Sequence, residues 1–347
     1  MRTGVFVLKK TYFSSIIVLT FSGTITYCLS FGFKIYFSGV MGPEGMGVLQ
    51  LVFSVYTLLV STFSSGISTA VSRVISERIE RRKPEPSYRI VRISAAVALA
   101  AGVSASILLS VCAGYIAANI FGDARTFYPV RVFIPMVPLM AVTPVLKGYF
   151  YGTRNAAPTG ISETVEHVVK FLGLIALMNI FKIRDIETGC VAAALSYMAG
   201  EVIGFITLLS IYIKDIKDKK DRCRAAYPIN KSGALSTAFT VFSIALPVSV
   251  GNFMGAVLGT SENVLITRRL LSSGLNISAT LSEFGKLVGM IMPLLFFPSL
   301  VISSLSTMLI PAISGAAGSR NKALINSRIE KSIRFTAAIG FIVASVF

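Results

Sequence analysis

Charged side chains embedded in apolar stretches are where this sequence has chemistry to offer. Glu201 stands between Gly200 and Gly204 in the middle of one stretch, Lys34 closes another, Arg73 ends a third and Arg131 begins a fourth. Glu262, Arg268 and Arg269 lie just beyond a later stretch, and Lys286 opens the next. A charge at the centre of a membrane helix costs about 2.5–3.5 kcal/mol on insertion scales, so each needs a reason. Lys34, Arg131 and Lys286 are near helix ends, where long side chains snorkel to the interface. Glu201 is too short for that, so it is expected to face the bundle or a wet cavity and to have a cationic partner. Glu163, Glu166, His167 and Lys170 are spaced i, i+3, i+4 and i+7, which puts them on one helical face. That face falls near the cytoplasmic end of its helix. It is expected to pack on headgroups or, as a functional alternative, to form a cytoplasmic gate.

Other chemistries find no support. The sequence holds no nucleophile, phosphate-loop or metal-ligand motif, and His167 is its single histidine. Cys28, Cys112, Cys190 and Cys223 are scattered without C-x-x-C spacing, which suits packing rather than a metal or disulfide. The expectation is a protein that is not an enzyme and carries no cofactor.

The elements that position these residues are apolar runs separated by short loops. Eight runs approach or reach the roughly 20 residues that a helix needs to span a bilayer. They are Tyr12–Phe33, Val48–Val71, Ile93–Ile116, Val130–Leu146, Ile161–Phe181, Cys190–Ile213, Ala238–Thr260 and Leu287–Ile310, and a ninth begins at Phe335. The first run is too long for a signal peptide core of about 7–15 residues and reads as a retained helix. Charged residues make up 14% of the chain, against about 25% in soluble domains, and 54% is hydrophobic. In lipid each backbone polar group must be satisfied within its own segment, so the runs are helices. The expected fold is an all-α polytopic membrane protein.

A net charge of +17 would suggest nucleic acid in a soluble protein. Here 25 of the 33 Lys and Arg, counting Lys170 near the cytoplasmic end of the fifth run, fall in the N-terminal tail and in or beside every second loop, the positive-inside pattern. The charge therefore reads as topology, with the N-terminus in the cytoplasm, a plasma-membrane location and no nucleic-acid partner.

A shift of 238 residues brings Gly47, Leu49, Ser65, Ser68, Thr69, Ile75 and Ser76 onto Gly285, Leu287, Ser303, Ser306, Thr307, Ile313 and Ser314. Helix start, helix end and the following basic loop repeat with them. The expected organisation is an N-terminal lobe at 1–213 with helices one to six, a basic cytoplasmic linker at 214–236, and the start of a C-terminal lobe at 237–347. An even number of crossings per unit makes the repeat parallel, related by an axis along the membrane normal. A complete second lobe would run to about residue 450, so further C-terminal helices are expected.

Three segments carry the most information. Gly42-Pro43-Glu44-Gly45-Met46-Gly47 is a tight turn at the membrane edge. Ser64 to Ser72 places small residues on successive turns, which lets helices approach closely. The third runs from Lys147-Gly148-Tyr149-Phe150-Tyr151-Gly152 through Ala157-Pro158-Thr159 to Lys170. Together with Gln50 and the stretch from Asn252 to Leu270, these resemble the polysaccharide-biosynthesis and stage V sporulation protein B branch of the multidrug/oligosaccharidyl-lipid/polysaccharide exporter superfamily.

The resemblance implies two six-helix lobes around a central cavity and a flippase for a lipid-linked sugar or cell-wall precursor of the undecaprenyl-diphosphate type. It implies a basic site at Lys34 and a charged site at Glu262, Arg268 and Arg269. Fixed cations suit a diphosphate, and Arg binds it in matched, bidentate geometry. Lys34, Arg73, Arg268 and Arg269 are therefore expected to line the cavity, with Glu201 and Glu262 as its carboxylates. The partners are then the lipid-linked precursor, membrane lipids and cell-wall synthesis proteins. Two alternatives stand beside it: a cation-coupled multidrug exporter of the same superfamily, and a non-transporting membrane scaffold.

Overall fold

The computed structural model describes residues 2–80, 87–153, 155–222 and 234–295, with separate helical positions between 326 and 345. Among the described residues every regular element is helical. Helix α1 is assigned across Arg2–Glu80, but Gly42 at φ 71 and the following Pro43 break it into two arms, 2–41 and 43–80. Only glycine takes that conformation without strain, and proline offers no N–H to carry the first arm onward. The expected turn is thus a one-residue reversal rather than a loop.

Helix α2 (Ser87–Tyr115) continues as a π turn over Ile116–Phe121 and stops at Gly122. The fourth crossing is segmented: α3 (Phe127–Phe133), a 3-10 turn at Ile134–Met136, then α4 (Val137–Gly152). Pro129, Pro135, Pro138 and Pro144 explain the interruption, since each removes a ladder donor. Helix α5 spans Ala157–Ile180, α6 Ile186–Arg222, α7 Ala234–Ser272 and α8 Ile277–Phe284. After α8 a π turn covers Gly285–Ile291.

Among the described residues five helical stretches are long and apolar enough to cross a membrane: 21–79, 88–121, 124–152, 186–217 and 238–272. The first of them takes in half of the first arm of α1 and nearly all of the second. Helix α5 misses that standard because it carries Glu163, Glu166 and Lys170, and those charges are satisfied inside the bundle. Both α6 and α7 run beyond their expected ends, α7 by twelve residues past Thr260. That extension adds about 18 Å of helix and carries Arg268 and Arg269 to its far end.

Residues Met1–Gly289 form one compact unit and Met290–Phe347 another. In the first, α7 packs along the second arm of α1, and α5 packs along α6. Small residues set the closeness, as the sequence suggested: a Cβ on Gly148 would sit 2.7 Å from the Ser68 carbonyl oxygen. In the second unit the described positions are helical and include an Arg334–Glu330 ion pair. The core of the basic linker (223–233) and the repeat partners at 303–314 lie outside the described residues, as do Arg154 and Cys223.

Candidate functional site

Two features stand side by side within the first unit: a buried charge cluster and a polar cavity. The cluster centres on Lys170 of α5. Its Nζ donates to Glu166 one turn earlier, to Glu201 Oε1 of α6 at 3.3 Å and to the Tyr56 hydroxyl of α1 at 3.1 Å. Tyr56 in turn donates to Glu201 at 2.8 Å. The side chains of Lys170, Glu166 and Glu201 are 4%, 9% and 10% exposed. The ammonium also lies 4.5 Å from the Tyr197 ring centroid. Glu201 is about 22 Å along α6 from Ile186, deep in the span. Its expected cationic partner is Lys170.

The glycines flanking Glu201 make the cluster possible. A Cβ on Gly200 would collide with Lys170 Cγ and sit 2.8 Å from the Glu166 carbonyl oxygen. One on Gly204 would sit 3.0 Å from Glu166 Cβ. The two glycines open a groove on α6 into which the stems of Glu166 and Lys170 fit.

The cavity, of about 710 Å³, lies between the second arm of α1 and α7. Gln50, Ser54, Thr57, Ser61 and Ser64 line one wall, and Asn252, Thr260, Glu262 and Asn263 the other. Asn263 Nδ2 donates to Ser54 Oγ at 3.0 Å, tying the walls together. The Gln50 amide nitrogen is buried with no hydrogen-bond partner among the described residues. Phe53 also lines the cavity and packs 4.7 Å from the Tyr197 ring and 6.2 Å from the Tyr56 ring. An aromatic wall thus separates the cavity from the ion cluster.

The start of the second arm of α1 packs backbone to backbone on α8 and the turn after it. A Cβ on Gly47 would collide with the Leu281 carbonyl oxygen, and one on Gly285 with that of Pro43. Gly47 and Gly285, aligned by the 238-residue shift, meet each other here: a Cβ on Gly285 would sit 2.6 Å from Gly47 N. Beside them Arg125 Nη1 bonds Glu44 Oε1 at 2.9 Å while Nη2 bonds Asp123 Oδ2 at 2.8 Å. Glu44 Oε2 accepts from the Ser278 hydroxyl at 2.7 Å.

The expected site residues are dispersed. Lys34 is half-buried on the first arm of α1, with no hydrogen bond or ion pair among the described residues. Arg73 is 64% exposed and pairs with Glu77 at 3.1 Å, one turn on. Arg268 donates to the Asn119 carbonyl oxygen at 2.8 Å, and Arg269 is exposed. None of the four lines the cavity between α1 and α7, whose charged lining residue is Glu262. The reason is helical phase and length: Arg73 falls nine residues beyond Ser64, and the longer α7 carries Arg268 and Arg269 past the cavity. Glu201 faces Lys170 and Tyr56 inside the helix bundle, behind Phe53, rather than the cavity.

The polar face of α5 also differs from expectation. Glu166 and Lys170 are buried against α6 and α1, not laid on headgroups. Glu163 pairs with Lys147 of α4 at 2.8 Å, and its carbonyl oxygen lies 2.9 Å from His167 Nδ1. Sequence reasoning missed Tyr56, Tyr197 and most of the cavity wall. A signal for the wall was present, because residues 50, 54, 57, 61 and 64 repeat at helical spacing, a polar stripe in an apolar run.

Known proteins fit this architecture. Stage V sporulation protein B of Bacillus subtilis is 28% identical over 334 residues, covering 96% of this chain and 64% of that protein. Lipid II flippase MurJ of the same organism is 24% identical over 330 residues, covering 91% of this chain and 60% of that one. The chain thus spans somewhat under two thirds of the length of either relative. An inward-facing multidrug-resistance MATE family transporter of the MOP superfamily superposes with a TM-score of 0.66 at 15% identity, covering 92% of this chain and 68% of that one. MATE in its straight conformation gives 0.63 at 15% identity, covering 98% and 72%. The profile of the family described as polysaccharide biosynthesis protein matches residues 13–316. The chain is therefore a membrane protein with the MATE transporter fold, and it belongs to the polysaccharide biosynthesis protein family.

Proposed function

We propose that this protein moves the sugar-bearing headgroup of a lipid-linked precursor, of the undecaprenyl-diphosphate type, across the bacterial cytoplasmic membrane by alternating access, with its N-terminus in the cytoplasm. The observation that carries the reading is the wall of hydroxyls and amides that lines a cavity between two apolar helices. Polar groups there cost free energy unless they meet water or a polar ligand. Neutral donors and acceptors at this density suit a sugar, and 710 Å³ falls within the range of small-molecule sites. Arg268 and Arg269, six and seven residues beyond Glu262, would meet the diphosphate at the end of the same interface. Lys34 would act from the first arm of α1, and Arg73 at the opposite end. The face of Glu163, Glu166, His167 and Lys170 would hold the cytoplasmic side of the lobe together as the lobes rock. The flippase name of one relative agrees with this reading. Contact with cell-wall synthesis proteins would follow from the same role.

One observation favours a second reading. Glu262 is the charged residue of the lining and makes no ion pair among the described residues, which would attract a cationic drug. The test uses the whole chain in detergent, with thermal stabilisation read against a lipid diphosphate bearing a disaccharide, the same lipid without sugar, and a cationic dye. Stabilisation that requires the sugar supports the flippase. Stabilisation by the dye alone, lost in Glu262→Gln, overturns it in favour of the exporter. A response to none of the three leaves the scaffold.

A further inference from the structure

A second cavity, of about 830 Å³, lies among α3, the end of α5, the 181–185 linker and the first turns of α6. Val132, Leu177, Val191, Ala192 and Leu195 give it apolar walls. Arg131, Arg184, Asp185 and Glu187 give it a charged mouth whose formal charges cancel. These opposite charges do not pair with one another. Arg131 lies 5.3 Å from the Phe127 ring centroid, and Asp185 Oδ2 accepts from the Thr188 N–H at 3.2 Å. Among the described residues the side chains of Arg131, Arg184 and Glu187 make no hydrogen bond or ion pair.

The mouth is at the level of helix ends, where a span meets the membrane–water interface. Tyr128 and Phe181 line it at 57% and 68% exposure, the aromatic belt expected at that depth. The charge asymmetry of the chain concentrates Lys and Arg in the tail and in the loops of the opposite side, and Arg131 and Arg184 lie away from them. Cations kept where topology disfavours them call for a local ligand.

We infer that this cavity binds one zwitterionic, amine-bearing phospholipid, of the phosphatidylethanolamine class. Arg131 and Arg184 hold its phosphate, Glu187 and Asp185 take the ammonium N–H groups, and an acyl chain lies along Leu177, Val191 and Leu195. An anionic lipid would bring no ammonium to offset the two carboxylates. A choline headgroup is cationic but has no N–H to donate, so it forgoes the charge-assisted bonds.

The experiment is native mass spectrometry of the purified full chain, stripped of lipid and then offered an equimolar mixture of phosphatidylethanolamine, phosphatidylglycerol and phosphatidylcholine with identical acyl chains. The expected result is a single-lipid adduct favouring phosphatidylethanolamine by about tenfold, the size of one charge-assisted hydrogen bond. Glu187→Gln removes that preference over phosphatidylcholine, and the double variant Arg131→Gln, Arg184→Gln lowers total occupancy about tenfold. Phosphatidylglycerol held as tightly as phosphatidylethanolamine, or a preference unchanged in Glu187→Gln, overturns the inference and leaves annular lipid only. If the arginine variant aggregates, Glu187→Gln decides alone, because it changes a partly exposed side chain with no partner.

Discussion

The buried charge cluster among α1, α5 and α6 makes a prediction that separates charge balance from pairwise contact. Lys170, Glu166 and Glu201 are all at most 10% exposed and share one ammonium between two carboxylates. At the 3.3 Å separation of Lys170 and Glu201, the attraction is about 5 kcal/mol for an effective dielectric of 20, largely offset by desolvation. Lys170→Met fills the same space but leaves two buried carboxylates without their cation, which should cost about 3–5 kcal/mol. Glu201→Gln leaves the Lys170–Glu166 pair intact, and the amide oxygen still accepts from Tyr56, so its cost should stay below about 1 kcal/mol. Glu166→Gln should be similarly mild, because Glu201 remains. The double variant Glu166→Gln, Glu201→Gln strands the lysine and should cost about as much as Lys170→Met, well beyond the sum of the single changes. Thermal unfolding in detergent is the assay. At roughly 2–4 °C per kcal/mol, Lys170→Met should lower Tm by roughly 6–20 °C and either single glutamine variant by a few degrees at most. A Glu201→Gln variant as damaged as Lys170→Met would refute the reasoning, since it would mean that each carboxylate contributes through its own contact rather than through the shared charge.

Three further outcomes follow from the same structure. Gly47→Ala or Gly285→Ala should each destabilise by about 1–3 kcal/mol, because the added Cβ strikes backbone carbonyl rather than a movable side chain; an unchanged Tm for both would show that this end is not packed as described. Arg125→Ala should cost about 1–2 kcal/mol, discounted for its partial exposure, by stranding Asp123 and loosening Glu44, whereas Arg125→Lys should recover part of the loss in the same denaturation assay. Gln50→Leu should leave Tm equal or higher, since its amide nitrogen is an unpaired buried donor, and should weaken binding of the sugar-bearing lipid about tenfold; binding unaffected by Gln50→Leu would remove this wall from the headgroup site.

Much of the fold was legible from the chain. Segment hydropathy, the Gly42-Pro43 break and the small residues around Ser68 each act locally, through backbone satisfaction in lipid, a single φ angle and helix-face size. The need of Glu201 for a cation was legible for the same reason, because burial cost attaches to one residue whatever surrounds it. Which cation answered was not: Lys170 lies 31 residues away, and the pairing depends on the phase of α5 against α6 and on the groove that Gly200 and Gly204 leave.

The placement of the basic residues shows the same division. Their counts along the loops express a preference that each loop obeys independently, so sequence alone supplied an expected topology. Whether Arg73, Arg268 or Arg269 reaches the cavity depends on helix length and rotation over many turns, where a few residues of extension move a side chain by tens of degrees and several ångströms. Sequence by itself determined a family of helical spans carrying the costly charges. Only the tertiary structure decided that Lys170 joins Glu166 and Glu201 inside the bundle, and that amides and hydroxyls with Glu262, not the arginines, line the space between α1 and α7.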